Sequence, residues 1–150
     1  MRSTSRTTTI DTTPEVIWAA LAEFDAIATW VPLIQHSCAL PPSRTGPGAA
    51  RRIQLPRQTL VERVTVWEPS QRLAYTIDGL PPLVGTPETT WTLTARGDAT
   101  AVEITTAIRT GINPLRALAA SAALKRLGLA ADMMLAGLST HVAPPESDQP

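Results

Sequence analysis

Three polar residues, Arg51, Glu62 and Tyr75, sit in the most strand-prone part of the chain and are its candidates for chemistry. A carboxylate taken out of water can act as a general base, and a phenol can donate to a developing enolate oxygen. A guanidinium can stabilise the same negative charge. Together they would suit aldol-type cyclisation and dehydration. Burial would raise the pKa of Glu62, and a neighbouring Arg51 would lower it again. Two other roles compete. An unpaired charge in an apolar setting costs several kcal/mol, so a buried Arg–Glu pair capped by a tyrosine can simply fix strand register. The same trio can also serve as the polar anchor of an internal cavity.

Residues 48–78 read as three strands joined by short turns, and side chains in a strand alternate between its faces. With Pro56-Arg57 as a two-residue turn, Leu55 lies opposite Gln58 and Arg51 opposite Glu62. A three-residue turn would put Arg52 in that place, and the sequence leaves both arginines open. With Glu68-Pro69-Ser70-Gln71 as the next turn, Trp67 lies opposite Arg72 and Val64 opposite Tyr75. This register gathers Ile53, Leu60, Val64, Leu73 and Ile77 on the face of the trio and sends Trp67 to the polar face.

The surrounding elements must hold that face. Residues 4–10 are threonine-rich and β-prone. Thr12-Thr13-Pro14-Glu15 opens a helix, with Ile17, Ala20, Leu21 and Phe24 at helical spacing. A second helical turn over residues 25–30 stops at Pro32, and residues 36–40 read as a strand. Residues 89–95 and 100–109 form a hairpin in which Trp91 faces Ile104 and Leu93 faces Val102. Asn113-Pro114 then caps a long helix running from Leu115 to about Val142. Its predicted inward stripe is Leu115, Leu118, Ala122, Leu129, Met133 and Gly137. Other leucines lie off that stripe, with dimer contact the first outlet for so apolar a helix and membrane association the second. Strands in a run with helices to one side make an α+β domain. A curved sheet around a long helix leaves a volume that side chains fill or that becomes a pocket. Its candidate lining is Trp30, Ile53, Val64, Tyr75, Trp91, Ile104, Leu118, Ala122 and Met133.

Composition narrows the classes. The 150 residues carry 13 basic and 13 acidic side chains, so no broad field favours nucleic acid. Cys38 is the single cysteine and His36 and His141 are the two histidines, which excludes a disulfide framework and gives no metal-ligand spacing. His36 and Cys38 share a strand face but stand too far apart for direct proton transfer. Neither a secretion signal nor a membrane span is visible, so integral membrane association is not expected and the cytoplasm is the expected location. The expected organisation is one domain over residues 1–143 and a disordered Pro-rich tail over 144–150.

Several segments resemble the START/Bet v 1-like (SRPBCC) superfamily, in particular its polyketide cyclase/dehydrase and lipid-transport group. They are Pro-Glu-Val-Ile-Trp at 14–18, Trp30-Val31-Pro32, Gly48-Ala49-Ala50-Arg51-Arg52, Leu60-Val61-Glu62-Arg63-Val64 and Arg72-Leu73-Ala74-Tyr75. The resemblance implies a helix-grip fold: a curved antiparallel sheet around a long C-terminal helix, with two short N-terminal helices. It also implies that Arg51, Glu62 and Tyr75 face an internal cavity. The expected function is binding of a hydrophobic or aromatic small molecule, lipid or polyketide-like, as carrier or sensor. A cyclase/dehydrase working through Glu62, Tyr75 and Arg51 is the first alternative, and an interaction module with a collapsed cavity the second. No cofactor is expected, and the chain is expected to be a monomer or homodimer.

Overall fold

The threonine-rich start forms strand β1, Arg2–Ile10, in a computed structural model that describes residues 1–143. The proposed tail at 144–150 lies outside the described residues. Thr13 caps helix α1, Pro14–Ala22, its hydroxyl accepting from the Val16 amide at 3.3 Å. Pro14 at the helix start forgoes an amide that would have no partner there. A 3-10 helix at Phe24–Thr29 follows. Next come β2 (His36–Leu40), β3 (Ala50–Gln54), β4 (Thr59–Glu68), β5 (Arg72–Asp78), β6 (Glu88–Arg96) and β7 (Ala99–Ile108). Helix α2 spans Pro114–Val142, with the Asn113 side chain accepting from the Leu115 amide at 2.9 Å.

All seven strands pair antiparallel in the order β1-β7-β6-β5-β4-β3-β2. Five hairpins follow the chain from β2 to β7, and β1 then closes on β7, so β1 and β2 become the two edges. Helix α2 packs on β1 and β7, α1 on α2 and β6, and the 3-10 helix on β2 and β3. This is the helix-grip arrangement, α+β with the helices on one side of the sheet.

Register decides what reaches the interior. The Leu55 amide donates to the Gln58 carbonyl at 2.8 Å, closing the Pro56-Arg57 turn. Arg51 therefore pairs with Glu62, while Arg52 pairs with Val61 and is exposed. The next turn differs from expectation. Trp67 lies opposite Leu73, not Arg72, because the connection is one residue shorter and turns at Ser70 with φ 61°. A bulge between Val64 and Val66 then absorbs one residue and returns Val64 to its place opposite Tyr75. The bulge also turns Trp67 away from the polar face. It is half-buried with its ring 5.2 Å from that of Trp18, edge to face. In the last hairpin Trp91 faces Ile104 and Leu93 faces Val102, as the sequence predicts.

Helix α2 turns a different face inward from the one predicted. Ala120, Leu124, Gly128, Ala131, Leu135 and Leu138 are buried. Leu118 is 71% exposed, Met133 41%, and Ala122 is exposed as well, so these three do not line the interior. The reason is distance. A Cβ at Gly137 would run into the Trp30 carbonyl, and one at Gly128 into the Arg6 guanidinium. The close approach requires small residues at these points, while Leu124, Leu135 and Leu138 fill the rest of the buried face and Leu115, Leu118 and Leu129 are left outside.

Candidate functional site

The β3–β4 hairpin presents Arg51 and Glu62 side by side, and β5 brings Tyr75 next to them. Arg51 Nε and Nη2 both reach Glu62 Oε1, at 2.8 and 2.7 Å. Its third nitrogen, Nη1, donates to the Phe24 carbonyl at 2.8 Å. The guanidinium carbon lies 3.8 Å from the centroid of the Phe24 ring and 4.8 Å from that of Tyr75, near enough for the cation to be drawn to both rings. Both members of the pair are buried. Burial holds the Glu62 carboxyl above the usual carboxylate range, and the attraction of Arg51 offsets this only in part.

Tyr75, 1% exposed, accepts a hydrogen bond from Trp91 Nε1 at 3.1 Å. Its phenol is held well above its ordinary pKa, first by burial and next by the Glu62 carboxylate. Two valences remain. Every buried side-chain nitrogen and oxygen among the described residues has at least one partner, but Tyr75 is engaged as an acceptor, from Trp91, and both Arg51 bonds to Glu62 fall on Oε1. A hydroxyl can both donate and accept, so Tyr75 is half-used.

Beside the trio runs a seam lined by Leu21, Ile27, Trp30, Arg51, Leu73 and Trp91. It holds about 200 Å³ of space between atoms and does not admit a water-sized sphere. This seam is therefore closed. Of the predicted lining, Trp30, Ile53, Val64, Tyr75, Trp91 and Ile104 belong to one buried cluster. The sequence reading missed Phe24, whose carbonyl and ring both hold Arg51, and the bond from Trp91 to Tyr75. Phe24 had a signal, the helical spacing from Leu21. The Trp91–Tyr75 bond had none, since those strands are neighbours only once the register is known.

His36 is exposed on edge strand β2 and Cys38 is half-buried there, away from the trio. His141 stacks on Trp30, ring centroids 6.3 Å apart. No group of three His, Cys, Asp or Glu among the described residues could hold a metal ion.

A curved antiparallel sheet gripping a long C-terminal helix, with a buried polar trio on its inner face, defines a Bet v 1-like helix-grip protein. The chain belongs to the polyketide cyclase / dehydrase and lipid transport family, which matches residues 1–143. Among proteins of curated function none matches it. Solved structures share the fold at low identity. Ara h 8.0201 superposes with a TM-score of 0.77 at 14% identity, covering 94% of this chain and 97% of that one. XoxI from Bacillus cereus gives 0.75 at 19%, covering 95% and 96%. The Zhui aromatase/cyclase from Streptomyces sp. R1128 gives 0.71 at 19%, covering 97% and 98%. At such identities the likeness speaks for the fold alone.

Proposed function

We propose that the protein binds a hydrophobic or aromatic small molecule carrying a carbonyl or hydroxyl group, in a cavity that opens along the seam between α1, the 3-10 helix and the sheet. The observation that carries this reading is the unused phenol hydrogen of Tyr75. A buried donor with no acceptor costs about 1–3 kcal/mol, and a ligand oxygen would relieve that cost. Trp30, Ile27, Leu21 and Leu73 supply an apolar wall beside it, and Arg51 and Glu62 form a fixed polar floor. Membership of a family described by polyketide cyclisation and lipid transport supports the same ligand class.

The test pairs an aromatic ketone with its parent hydrocarbon, each titrated into wild type and Tyr75→Phe. One hydrogen bond of about 1–1.5 kcal/mol corresponds to roughly a tenfold affinity difference. The ketone should lose that factor in the variant and the hydrocarbon should lose nothing. Equal affinities for the ketone in both proteins would remove Tyr75 from the site, and no binding of either compound would end the reading.

Acid–base catalysis is the second reading, favoured by the Oε2 of Glu62, which Arg51 does not engage, and by burial that makes the carboxylate a stronger base than an exposed one. Two bonds from Arg51 to Oε1 hold the pair together and weigh against it. Turnover of a cyclisable polyketide-like substrate that survived Glu62→Gln would discard Glu62 as the base.

A further inference from the structure

The outer face of α2 is apolar without facing any part of the protein. Leu115 is 64% exposed, Leu118 71%, Leu129 64% and Met133 41%, and Ala122 completes the row. At about 100° per residue these positions fall on one side of the helix, opposite the buried Ala120, Leu124, Gly128, Ala131, Leu135 and Leu138. Ile112, on the loop that enters the helix, is fully exposed at the same end. A small domain does not leave a row of this length bare without a use for it.

Charge identifies the occupant. The chain as a whole is balanced, but residues 109–142 contain Arg109, Arg116, Lys125 and Arg126 against the single acid Asp132. All four basic residues are exposed. Asp132 is already engaged by Arg6 Nε at 3.2 Å. Along one flank of the row, Arg2, Arg6 and Lys125 line a groove of about 450 Å³ with the hydroxyls of Ser3, Thr4 and Ser121. A second copy of the chain fits poorly. Arg126 lies at the middle of the row, so antiparallel pairing of two such helices would bring two guanidiniums together with no acid to separate them. The complement to an apolar row with basic flanks is an apolar layer beneath an anionic surface.

We infer that the outer face of α2, with Ile112 at its leading end, docks the protein peripherally on an anionic lipid bilayer. Leu115, Leu118, Leu129 and Met133 enter the boundary between headgroups and acyl chains. Arg116 and Lys125 meet lipid phosphates from the flanks, and Arg126, within the row, extends its long side chain up to the same layer. The helix lies in the interface and does not cross it, since no helix among the described residues is long and apolar enough to span a bilayer. The inference is independent of the interior site, because none of these side chains touches Arg51, Glu62 or Tyr75.

The experiment is co-sedimentation of the full chain with vesicles of one part phosphatidylglycerol to two parts phosphatidylcholine, beside vesicles of phosphatidylcholine alone. Wild type should partition to the anionic vesicles and weakly to the neutral ones, and added salt should weaken the first. Leu115→Ser with Leu118→Ser changes only exposed positions and should lower the partition at least tenfold. Arg126→Glu reverses one charge and should lower it by a similar factor on anionic vesicles only. Absence of binding to the anionic vesicles, equal binding to both kinds, or binding indifferent to the leucine pair would each overturn the inference. So would a dimer in sedimentation velocity without lipid that Leu118→Ser dissolves, since the row would then belong to a second copy.

Discussion

Arg51 has three roles at once, as ion-pair partner, carbonyl donor and cation between two rings, and its removal separates them. Arg51→Ala leaves the Glu62 carboxylate buried and unpaired, and such losses cost about 3–5 kcal/mol. Exchanging both partners for apolar residues of similar size, Arg51→Met with Glu62→Leu, removes the uncompensated charge. Urea denaturation should therefore find the double variant more stable than Arg51→Ala alone, which a merely additive pair would not give. Tyr75 allows a cleaner measurement because it is the only tyrosine in the chain. Its folded pKa lies above the unfolded value of about 10. A raised pKa contributes stability that is whole below the unfolded value and is lost as pH rises through the folded one. In an ultraviolet titration the phenolate band should thus stay absent past pH 10 and appear together with unfolding. In denaturant the same band should rise near 10. A folded protein that ionises at the ordinary value would place Tyr75 in contact with water.

At the scale of elements, the two glycines of α2 make opposite predictions from one geometry. Replacing a helical glycine by alanine gains up to about 1 kcal/mol in helix propensity. At Gly128 the new Cβ meets the far end of the Arg6 side chain, which can move aside, so Gly128→Ala should be neutral or stabilising. At Gly137 it meets the Trp30 backbone carbonyl, which cannot, and overpacking of about 1–3 kcal/mol should win. Thermal melts of the two variants should shift in opposite directions or, at the least, differ in that order. These glycines also mark where the sequence stopped being legible. Strand order, caps and most of the β3–β4 and β6–β7 registers follow from local rules of turn length and alternation. So did the pairing of Val64 with Tyr75, although a shorter turn and a bulge reached it by another route. The inward face of α2 did not follow, because it depends on how near β1 and the residue-30 segment come to the helix. Leucines lie on both faces, so hydropathy does not choose between them, while close approach requires small residues at the points of contact. Only the assembled structure says where those points are.

For the molecule as a whole, the proposed ligand site and the closed seam are reconciled only by motion, and Trp30 is placed to govern it. Its ring meets Trp91 edge to face at 6.2 Å and stacks on His141 of α2, while its carbonyl abuts Gly137. Trp30 thus joins the sheet to the C-terminal half of α2 across the seam. If the competent state is a minor open form, the apparent affinity falls by the fraction of molecules that are open. Binding in stopped-flow should then level off with ligand concentration at the rate of opening. Trp30→Ala would cost about 3–5 kcal/mol of stability, yet it leaves Arg51, Glu62 and Tyr75 in place and frees space at the seam. For the aromatic ketone the variant should bind several-fold faster, with a rate that stays linear in concentration where wild type saturates. Identical kinetics in the two proteins would mean that Trp30 does not gate the site and that entry runs elsewhere. Slower binding in the variant would mean that the indole is part of the binding surface rather than its door.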